Sequence, residues 1–376
     1  MKCVCAVGEL KRVLSLVRKI ADGKVDRPEM GCVKLVAAGD GLTLTVANAI
    51  ANLTCTVIAE VAVDGTALVP AGALARVIGR VGSDRVELVG GESTKEIVLA
   101  GCESGTTEND LVVISGEMWC VLRGMPIGGF PDISDVKGEE AVVSADALGA
   151  ALRCAMPALC KDESRAVLTG ACLAAGEGCT NVYGTDGRRL VKSVVQGMAV
   201  PGEKVIVPAG AVGVLVELLG GGGEWKVVGN EGRMKFSGKG TVLVTRLIAG
   251  GYPKAEDLVR SAPEANVTVG RKALMDAVDL AAVFQPKLKA PHVTLAFGKN
   301  TLTVKSEQAD VGGVVDEIVC VYDGPEVSIK LNPVYVRDAL GVMEGEMARI
   351  GFIGPAAPVK FCETDGCEWV VMPMRV

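Results

Sequence analysis

The sequence has almost no histidine, a side chain on which many catalytic and metal sites depend. Its 376 residues include one histidine, His292. This count excludes a histidine-based zinc site, and any Ser-His-Asp or Cys-His catalytic system would have to use this single residue. His292 follows Pro291 where a strand is predicted to begin, and a histidine at a strand edge is far more often structural than catalytic. We therefore expect no catalytic residues, no metal site and no cofactor.

Phosphate-binding loops and disulfide patterns are also missing. The chain has no GxGxxG motif. The four glycines at 220–223 follow a predicted helix, so they indicate a helix end and a turn rather than a phosphate cradle. The stretch 232–241 has the wrong glycine spacing for a P-loop. The 13 cysteines include no CxxC pair and the chain shows no export signal, so we expect reduced core thiols.

The chain also has few aromatic residues and no long apolar run, and its net charge is negative. Aromatics make up only 3% of the chain, which is unfavourable for stacking nucleic-acid bases on side-chain rings. No apolar stretch is long enough to cross a membrane uninterrupted, so we expect no membrane partner. The formal net charge of −6 argues against a surface that binds nucleic acid everywhere. DNA contact would have to use a local basic stripe.

Two patterns each occur three times in step along the chain. One is a β-rich run, a proline and an amphipathic stretch, and the other is a strand followed by a helix. The prolines are Pro70, Pro208 and Pro333, and the matching leucines of the second pattern are Leu10, Leu148 and Leu274. The prolines are 138 and 125 residues apart and the leucines 138 and 126. The shared offsets predict one α+β domain used three times.

Basic residues are concentrated on the predicted helices. The apolar face of the first helix consists of Leu10, Val13, Leu14 and Val17. Lys11 and Arg12 lie on its other side, and Arg76 and Arg80 are four residues apart on the second predicted helix. A solvated helix face would look the same if it occurred once. Its repetition on several helices favours a basic surface.

Five segments resemble the DNA polymerase III β subunit family, the replicative sliding clamps of bacteria. They are FPDI at 130–133, SRAVLTG at 164–170, YGTDGRRL at 183–190, GGYP at 250–253 and WVVMPMRV at 369–376. TDG-x-RL and the terminal VMPMR are signature motifs of that family, and the resemblance runs in order over the whole chain. It implies an α+β fold of three repeated clamp-type domains, each with two helices packed on a β-sheet, at 1–139, 140–263 and 264–376.

The resemblance also implies a function. Two such chains close head to tail into a ring around duplex DNA, hold it through contacts that read no sequence, and tether the replicative polymerase. The expected partners are double-stranded DNA, the DNA polymerase III catalytic subunit, the clamp loader and repair proteins. The protein partners are expected to bind through short linear motifs. The expected location is cytoplasmic and nucleoid-associated. Two alternatives stay open: a clamp-like peptide-binding scaffold that no longer encircles DNA, and an enzyme with an unrecognised cysteine or carboxylate site.

In the family, TDG-x-RL and the C-terminus form a cleft for partner peptides. The matching residues here are Leu168, Thr185, Gly187, Arg188, Arg189, Leu190, Pro253, Leu258, Val370, Val371, Met372, Pro373, Met374 and Arg375. Met and Val provide an adaptable apolar floor, and Arg189 and Arg375 are expected to orient peptide carbonyls or an acidic residue. One departure is Asp257, which stands where the family usually has arginine, so peptide preference is expected to differ.

Two further sets of residues follow from charge placement and from the resemblance. The expected DNA contacts are Lys11, Arg12, Lys24, Arg27, Arg76, Arg80, Lys161 and Arg165. Ring closure is expected to join a probable edge strand in 117–126 to the segment 279–290 of the other chain. The expected dimer contacts are Cys120, Leu122, Val283 and Phe284.

Overall fold

The structure is a computed structural model, which describes residues 1–21, 27–96, 106–131, 133, 135–198, 200, 202–230, 232–254, 263–285, 290–363 and 367–374. It divides into two compact units, each with its own antiparallel sheet. The first unit is Met1–Ala145 with Gly213–Leu247, and the second is Asp146–Val212 with Ile248–Val376. The predicted domain boundaries after residues 139 and 263 stay predictions.

The described residues contain six α helices and 24 strands. The α helices are α1 Val7–Ala21, α2 Ala71–Arg80, α3 Ala145–Ala155, α4 Ala209–Leu219, α5 Arg271–Val283 and α6 Pro333–Gly341. Short 3₁₀ helices span Pro28–Gly31, Gly91–Glu96, Ile127–Gly129, Met156–Ala158 and Glu163–Leu168.

The strands β1 to β12 are Lys2–Ala6, Cys32–Ala38, Gly41–Ala47, Ala51–Val63, Gly65–Pro70, Arg85–Gly90, Leu111–Ser115, Met118–Leu122, Glu140–Ser144, Gly170–Ala175, Cys179–Thr185 and Arg189–Gln196. The strands β13 to β24 are Lys204–Pro208, Glu224–Gly229, Arg233–Gly238, Thr241–Arg246, Ala265–Gly270, Val293–Gly298, Thr301–Gln308, Gly312–Val321, Val327–Leu331, Met347–Phe352, Val359–Cys362 and Glu368–Val371.

The two sheets differ in their strand order. In the first unit the order is β8-β7-β6-β1-β4-β16-β15-β14-β9, and β3 joins β4 to a further pair, β2 and β5. In the second unit the order is β13-β10-β11-β12-β24-β23-β22-β17-β20-β19-β18-β21. The strand β24 therefore lies beside β12, although some 170 residues separate them along the chain.

The periodicity of the sequence explains the individual elements. On α1 the predicted apolar face is buried, and Lys11 and Arg12 on its other side are exposed. On β3, Leu42, Leu44 and Val46 are buried, while the residues between them are only partly covered, as a period of two requires.

The prolines act as helix starts in two slightly different ways. Pro70 ends β5 directly before α2, whereas Pro333 is the first residue of α6. The Asn332 side chain before it accepts a hydrogen bond from the backbone N–H of Val334 at 2.9 Å and so caps α6. The glycine run at 220–223 follows α4, as predicted, and Gly222 and Gly223 have φ of +66° and +91°.

The scarce aromatic residues are used mainly to fill the core. The fully buried rings are Trp225, Trp369, Phe236, Phe297, Phe352 and Phe361. The rings of Phe297 and Phe352 pack with their centroids 4.7 Å apart. Aliphatic residues from the strands and helices fill the remaining space, so the predicted α+β architecture is confirmed. No helix in the described ranges is long and apolar enough to cross a membrane.

Candidate functional site

The TDG-x-RL motif forms the tight connection between β11 and β12. Thr185 ends β11, and its hydroxyl donates to the carbonyl of Arg189 at 2.6 Å and accepts from the N–H of Gly187 at 3.0 Å. The carboxylate of Asp186 accepts from the N–H groups of Arg188 and Arg189 at 2.9 and 3.1 Å. Gly187 has φ of +87°, a conformation that other residues adopt only with strain. The motif is thus a self-bonded turn of fixed shape.

Arg189 is held inside the protein by contacts on every side of its guanidinium group. Only 8% of the residue is exposed. Its Nε donates to Asp186 at 3.0 Å, and its two terminal nitrogens donate to Asp338 and to the carbonyl of Pro157. The group also lies over the ring of Tyr335, 4.4 Å from its centroid. The sequence analysis expected Arg189 to orient a peptide, whereas these contacts give it an internal, positioning role.

The C-terminal segment lies directly against this motif. The strand β24 pairs antiparallel with β12, with Leu190 opposite Val370 and Arg189 opposite Val371. Beyond β24, the N–H of Met372 donates to the carbonyl of Arg188 at 2.9 Å. The N–H of Met374 donates to the carbonyl of Lys330 at 2.8 Å. The two signature motifs, far apart in sequence, are therefore neighbours in one sheet.

An apolar cluster, here called the cleft cluster, fills the space beside this strand pair. Its buried members are Cys172, Ala174, Tyr183, Leu190, Ile206 and Val370, and the partly buried residues packed on it are Val167, Ile248 and Tyr252. The three partly buried residues are not fully covered. Met372, directly after β24, is 39% exposed. A partly covered apolar floor with an accessible methionine is the composition that a small peptide pocket needs.

The predicted peptide residues have different degrees of burial. Val371 and Leu168 belong to the core, Pro253 is exposed, and Pro373 and Met374 are partly buried. Leu258, Arg375 and the rim residue Asp257 lie outside the described residues. Val167, Ile248 and Tyr252 were not among the predicted residues. Val167 and Tyr252 are direct neighbours of the predicted Leu168 and Pro253, and all three pack on the cleft cluster. The assignment of the peptide residues stays a prediction.

The predicted DNA contacts of the first unit lie on two helices that touch each other. Lys11 and Arg12 on α1 and Arg76 and Arg80 on α2 are all exposed, and α1 and α2 are in direct contact. The ammonium group of Lys11 donates to the carbonyl of Val81 at 3.0 Å, just after α2. The four side chains are therefore exposed on two helices that pack against each other. Arg27, before the first 3₁₀ helix, is also exposed, and Lys24 lies outside the described residues.

One of the two predicted DNA contacts of the second unit, Arg165, contacts the TDG-x-RL turn. Both Lys161 and Arg165 are exposed. The guanidinium group of Arg165 donates to the carbonyl of Asp186 at 2.8 Å and to the sulfur of Cys160 at 3.1 Å. Arg165 therefore braces the turn that carries Gly187. A substitution there would disturb the predicted peptide surface as well as any DNA contact.

The predicted dimer segments lie where apolar surface is left uncovered. The strand β8 ends the sheet order of the first unit, as expected for an edge strand, and Cys120 and Leu122 on it are half-buried. At the end of α5, 63% of Val283 is exposed, while Phe284 is half-buried and its ring lies beside Gly312.

A further apolar stretch in the same region was missed by the sequence analysis. Residues 312–319 of β20 pair only with β19 within the described part of the chain. Val315 and Val319 on this stretch are strongly exposed. Asp316 and Glu317 lie between these two valines in the sequence. A mixture of apolar and acidic residues also fits a solvated strand, so the sequence did not mark this stretch as an interface.

Asp110 anchors the β7–β8 hairpin that contains the edge strand. It is buried, and its carboxylate accepts from the N–H of Thr107 at 2.8 Å and from the guanidinium group of Arg123 at 2.6 Å. A longer contact of 3.4 Å joins it to the N–H of Gly124. Burial alone would raise the pKa of this carboxyl group, but the hydrogen bonds outweigh it and hold the pKa below its usual value.

Cys3, Cys5 and His292 lie in structural surroundings. Burial raises the pKa of the Cys3 thiol to about 11 and that of Cys5 to about 12, which makes both unreactive. His292 lies directly before β18, and its backbone N–H donates to Gln285 at 2.6 Å. Within the part of the chain described, no three His, Cys, Asp or Glu side chains are grouped to hold a metal ion.

Comparison with known proteins gives consistent matches. Residues 143–254 match the family model for the central domain of the DNA polymerase III beta subunit, and residues 260–375 match the model for its C-terminal domain. Together the two models cover more than half of the chain. The beta sliding clamp of Chlamydia pneumoniae is 23% identical, over 100% of this chain and 99% of that protein.

Solved structures show the same similarity in three dimensions. The DNA polymerase sliding clamp from Bacillus subtilis superposes with a TM-score of 0.87 at 20% identity, covering 100% of this chain and 99% of that one. A sliding clamp, DNA polymerase III subunit beta, from Pseudomonas aeruginosa bound to griselimycin gives 0.88 at 22% identity, with full coverage of both chains.

Proposed function

Because this chain belongs to the DNA polymerase III β subunit family, its function is that of a DNA sliding clamp, and we propose that two copies close into a ring around duplex DNA. Family membership confirms the resemblance inferred from the motifs. It also confirms that the chain is a non-catalytic processivity factor rather than an enzyme. The observation that carries the proposal is the match over the whole chain, since a ring needs every domain.

The tether is topological rather than adhesive. The exposed cations of the α1–α2 pair offer charge to phosphates, which are the same in every sequence, so they let the ring slide. The negative net charge of the chain, −6, then comes from acidic residues elsewhere. Contacts between cations and phosphates weaken steeply as the salt concentration rises, because the formation of each contact releases counterions from the DNA into solution. Retention on DNA depends instead on the closed ring.

Ring closure uses the edge strand β8 of one copy and the end of α5 of the other. Support comes from the apolar surface left exposed at Val283 and along β20, and from the unpaired edge of β8. An edge strand of this kind favours pairing with another chain. Contacts between unlike surfaces that close on themselves give a ring with defined symmetry.

The cleft cluster and Met372 form the docking site for partner peptides. The TDG-x-RL turn, braced by Arg165 and held by Arg189, gives the site a fixed rim, and Val167 and Tyr252 accept the apolar anchors of a peptide. The proposed partners are the DNA polymerase III catalytic subunit, the clamp loader and repair proteins, each through a short linear motif. Griselimycin, bound by the Pseudomonas aeruginosa clamp, is a second ligand to test. The proposed location is the cytoplasm, at the nucleoid.

Retention on circular DNA tests the proposal directly. The chain is loaded with a bacterial clamp loader onto nicked circular plasmid, and the complex is isolated by gel filtration at high salt. We expect the protein to stay on the circle and to leave once a restriction enzyme makes the DNA linear. Equal retention on both forms would show adhesive binding, and no retention on either would leave only a peptide-binding scaffold. Either result would contradict encirclement.

A further inference from the structure

A groove in the second unit holds two cysteines that the clamp function does not use. The cavity has a volume of about 1000 Å³ and is lined by α3, part of β12 and the segment 341–347. Cys154 on α3 is half-buried and faces the groove, and Cys367, directly before β24, is 4% exposed. Both are free thiols, and both line this groove.

Two buried polar groups adjoin the thiol pair. Ser193 Oγ and Trp369 Nε1 are shielded from solvent and have no hydrogen-bond partner in the described part of the chain. Ser193 lines the groove together with both cysteines, and Trp369 on β24 follows Cys367 by two residues. Buried polar groups rarely stay unpaired, so their position beside two sulfurs points to a site that accommodates a thiolate.

The pair is electrostatically asymmetric. The neighbouring Cys367 thiol lowers the pKa of Cys154 against the opposing effect of burial. The neighbouring Cys154 thiol, together with burial, raises the pKa of Cys367. Cys154 is thus the more nucleophilic thiol and is reachable from the groove, while Cys367 stays protonated beside it. This is the arrangement of an attacking and a resolving cysteine.

We propose that the groove is a redox modification site, in which hydrogen peroxide converts the Cys154 and Cys367 thiols into a disulfide. The Cys154 thiolate attacks one peroxide oxygen, the O–O bond breaks, and a sulfenic acid forms while hydroxide leaves and takes a proton. The sulfur of Cys367 then attacks the sulfenic sulfur, the S–S bond forms, and the released hydroxide takes the Cys367 proton as water. In total two thiols and one peroxide give one disulfide and two waters.

The disulfide would link two elements that support the peptide surface, so the inference goes beyond the clamp function itself. The helix α3 leads into Pro157, whose carbonyl holds Arg189, and β24 carries Val370 of the cleft cluster. Thiols in a reducing compartment form disulfides transiently, as sensors, rather than as permanent cross-links. The bond would therefore be a reversible covalent restraint, formed under oxidative stress and removed by thiol reductants.

Peptide mapping of the full chain after peroxide treatment tests the proposal. Residual thiols are blocked with iodoacetamide in denaturant, and the unreduced protein is digested with trypsin and then with a glutamate-specific protease. The second digestion separates Cys367 from Cys362 because Glu363 lies between them. We expect a cross-linked peptide pair, lighter by two hydrogen atoms than the sum of its parts, that disappears on reduction. Fragmentation of the pair should assign the bond to Cys154 rather than to Cys160.

Serine variants provide matched controls. Cys154→Ser and Cys367→Ser should each abolish the cross-link, whereas Cys160→Ser and Cys362→Ser, at neighbouring cysteines, should retain it. The mapping of the unsubstituted chain decides the matter even if a variant fails to fold. A cross-link between other cysteines, a sulfinic acid at Cys154 without a cross-link, or unchanged thiols under peroxide that oxidises free cysteine in the same tube would each overturn the proposal.

Discussion

At the scale of single residues, the protein depends on a few buried ionic groups whose partners are far away in sequence. Arg189 joins the TDG-x-RL turn to α6 through Asp338 and to the end of α3 through the carbonyl of Pro157. Asp110 joins the two ends of the β7–β8 hairpin. Removing one member of such a group leaves a buried charge or polar atom without its partner, which costs more than the lost contact alone.

Arg189→Ala should destabilise the protein, by about 3–5 kcal/mol, because two carboxylates and a carbonyl lose their shared donor. The neighbouring Arg188→Ala is the matched control. Arg188 is exposed, and its loss should change the free energy of unfolding by less than about 0.5 kcal/mol. Urea unfolding followed by circular dichroism measures both. Equal effects of the two substitutions would contradict the positioning role of Arg189.

Asp110→Asn should lower the free energy of unfolding at pH 7, by about 1–3 kcal/mol, since a charged hydrogen-bond acceptor is lost in a buried place. Exposed Asp84→Asn is the control, with little expected effect. The measurement is urea unfolding of both variants beside the unsubstituted chain.

The effect of Asp110→Asn should also depend on pH in a defined direction. The pKa of the folded carboxyl is below its unfolded value, so its stabilisation is complete above the unfolded pKa of about 3.9. It is lost as the pH falls through the folded pKa, because the unfolded chain takes up the proton first. The difference between variant and unsubstituted chain should therefore shrink in acid. A difference that stays constant from pH 7 to pH 3 would argue against a depressed pKa.

At the scale of elements, function follows from which face of a helix or strand is left uncovered. The α1–α2 pair buries its apolar residues and leaves its cations outside. Val370 and Val371 on β24 are buried, and Met372, the next residue, is exposed. The periodicity of the sequence determines which side chains share a face within each element. The order of the strands in each sheet determines which other element that face packs against.

Reversing Lys11, Arg12, Arg76 and Arg80 to Glu should weaken DNA binding and reduce its dependence on salt. If each cation neutralises one phosphate, the slope of log K against log salt should fall by about 3–4. The control reverses four exposed lysines on strands and turns, namely Lys226, Lys239, Lys299 and Lys305. Fluorescence anisotropy over a salt series measures the slope. A loss of slope that is equal in both variants would reflect net charge and not a helix-lined surface.

Met372→Ala should weaken the binding of a Gln-Leu-x-Leu-Phe peptide by about tenfold, because an apolar contact near the centre of an interface carries much of its energy. Met347→Ala is the matched control, since 50% of Met347 is exposed but it lies outside the cleft cluster. Anisotropy of a labelled peptide measures the affinities, and melting curves verify folding. An unchanged affinity in a folded Met372→Ala variant would exclude Met372 from the docking site.

At the scale of the whole molecule, the proposed ring requires closure by a second copy. Val283→Asp should convert dimer into monomer, because it places a charge in an apolar contact while 63% of the residue is exposed in the single chain, so the fold should tolerate it. Val142→Asp, at an exposed valine of β9, is the control and should stay dimeric. Light scattering gives the masses. A Val283→Asp protein that remains dimeric would show that the α5 end is not the interface.

The candidate site shows how far sequence reasoning reached. The motifs identified Leu190 and Val370, which prove to be paired across β12 and β24 and buried in the cleft cluster. They did not point to Val167, Ile248 or Tyr252, because nothing in these local sequences marks an apolar residue as packing on this cluster. The burial of Arg189 against Asp338 could not be read from either segment. The peptide site itself stays a prediction.

The threefold domain repetition stays a prediction from the sequence. The sequence by itself determined the helix and strand faces and the motifs that identify the family. These are properties of short windows, where a period of two or 3.6 residues decides which side chains share a face. The tertiary structure decided the pairing of β12 with β24, the partners of Arg189, the uncovered valines of β20 and the groove that Cys154 and Cys367 share. Such contacts join residues far apart in the chain, and an alternating strand is compatible with several neighbours until the packing of the whole sheet selects one.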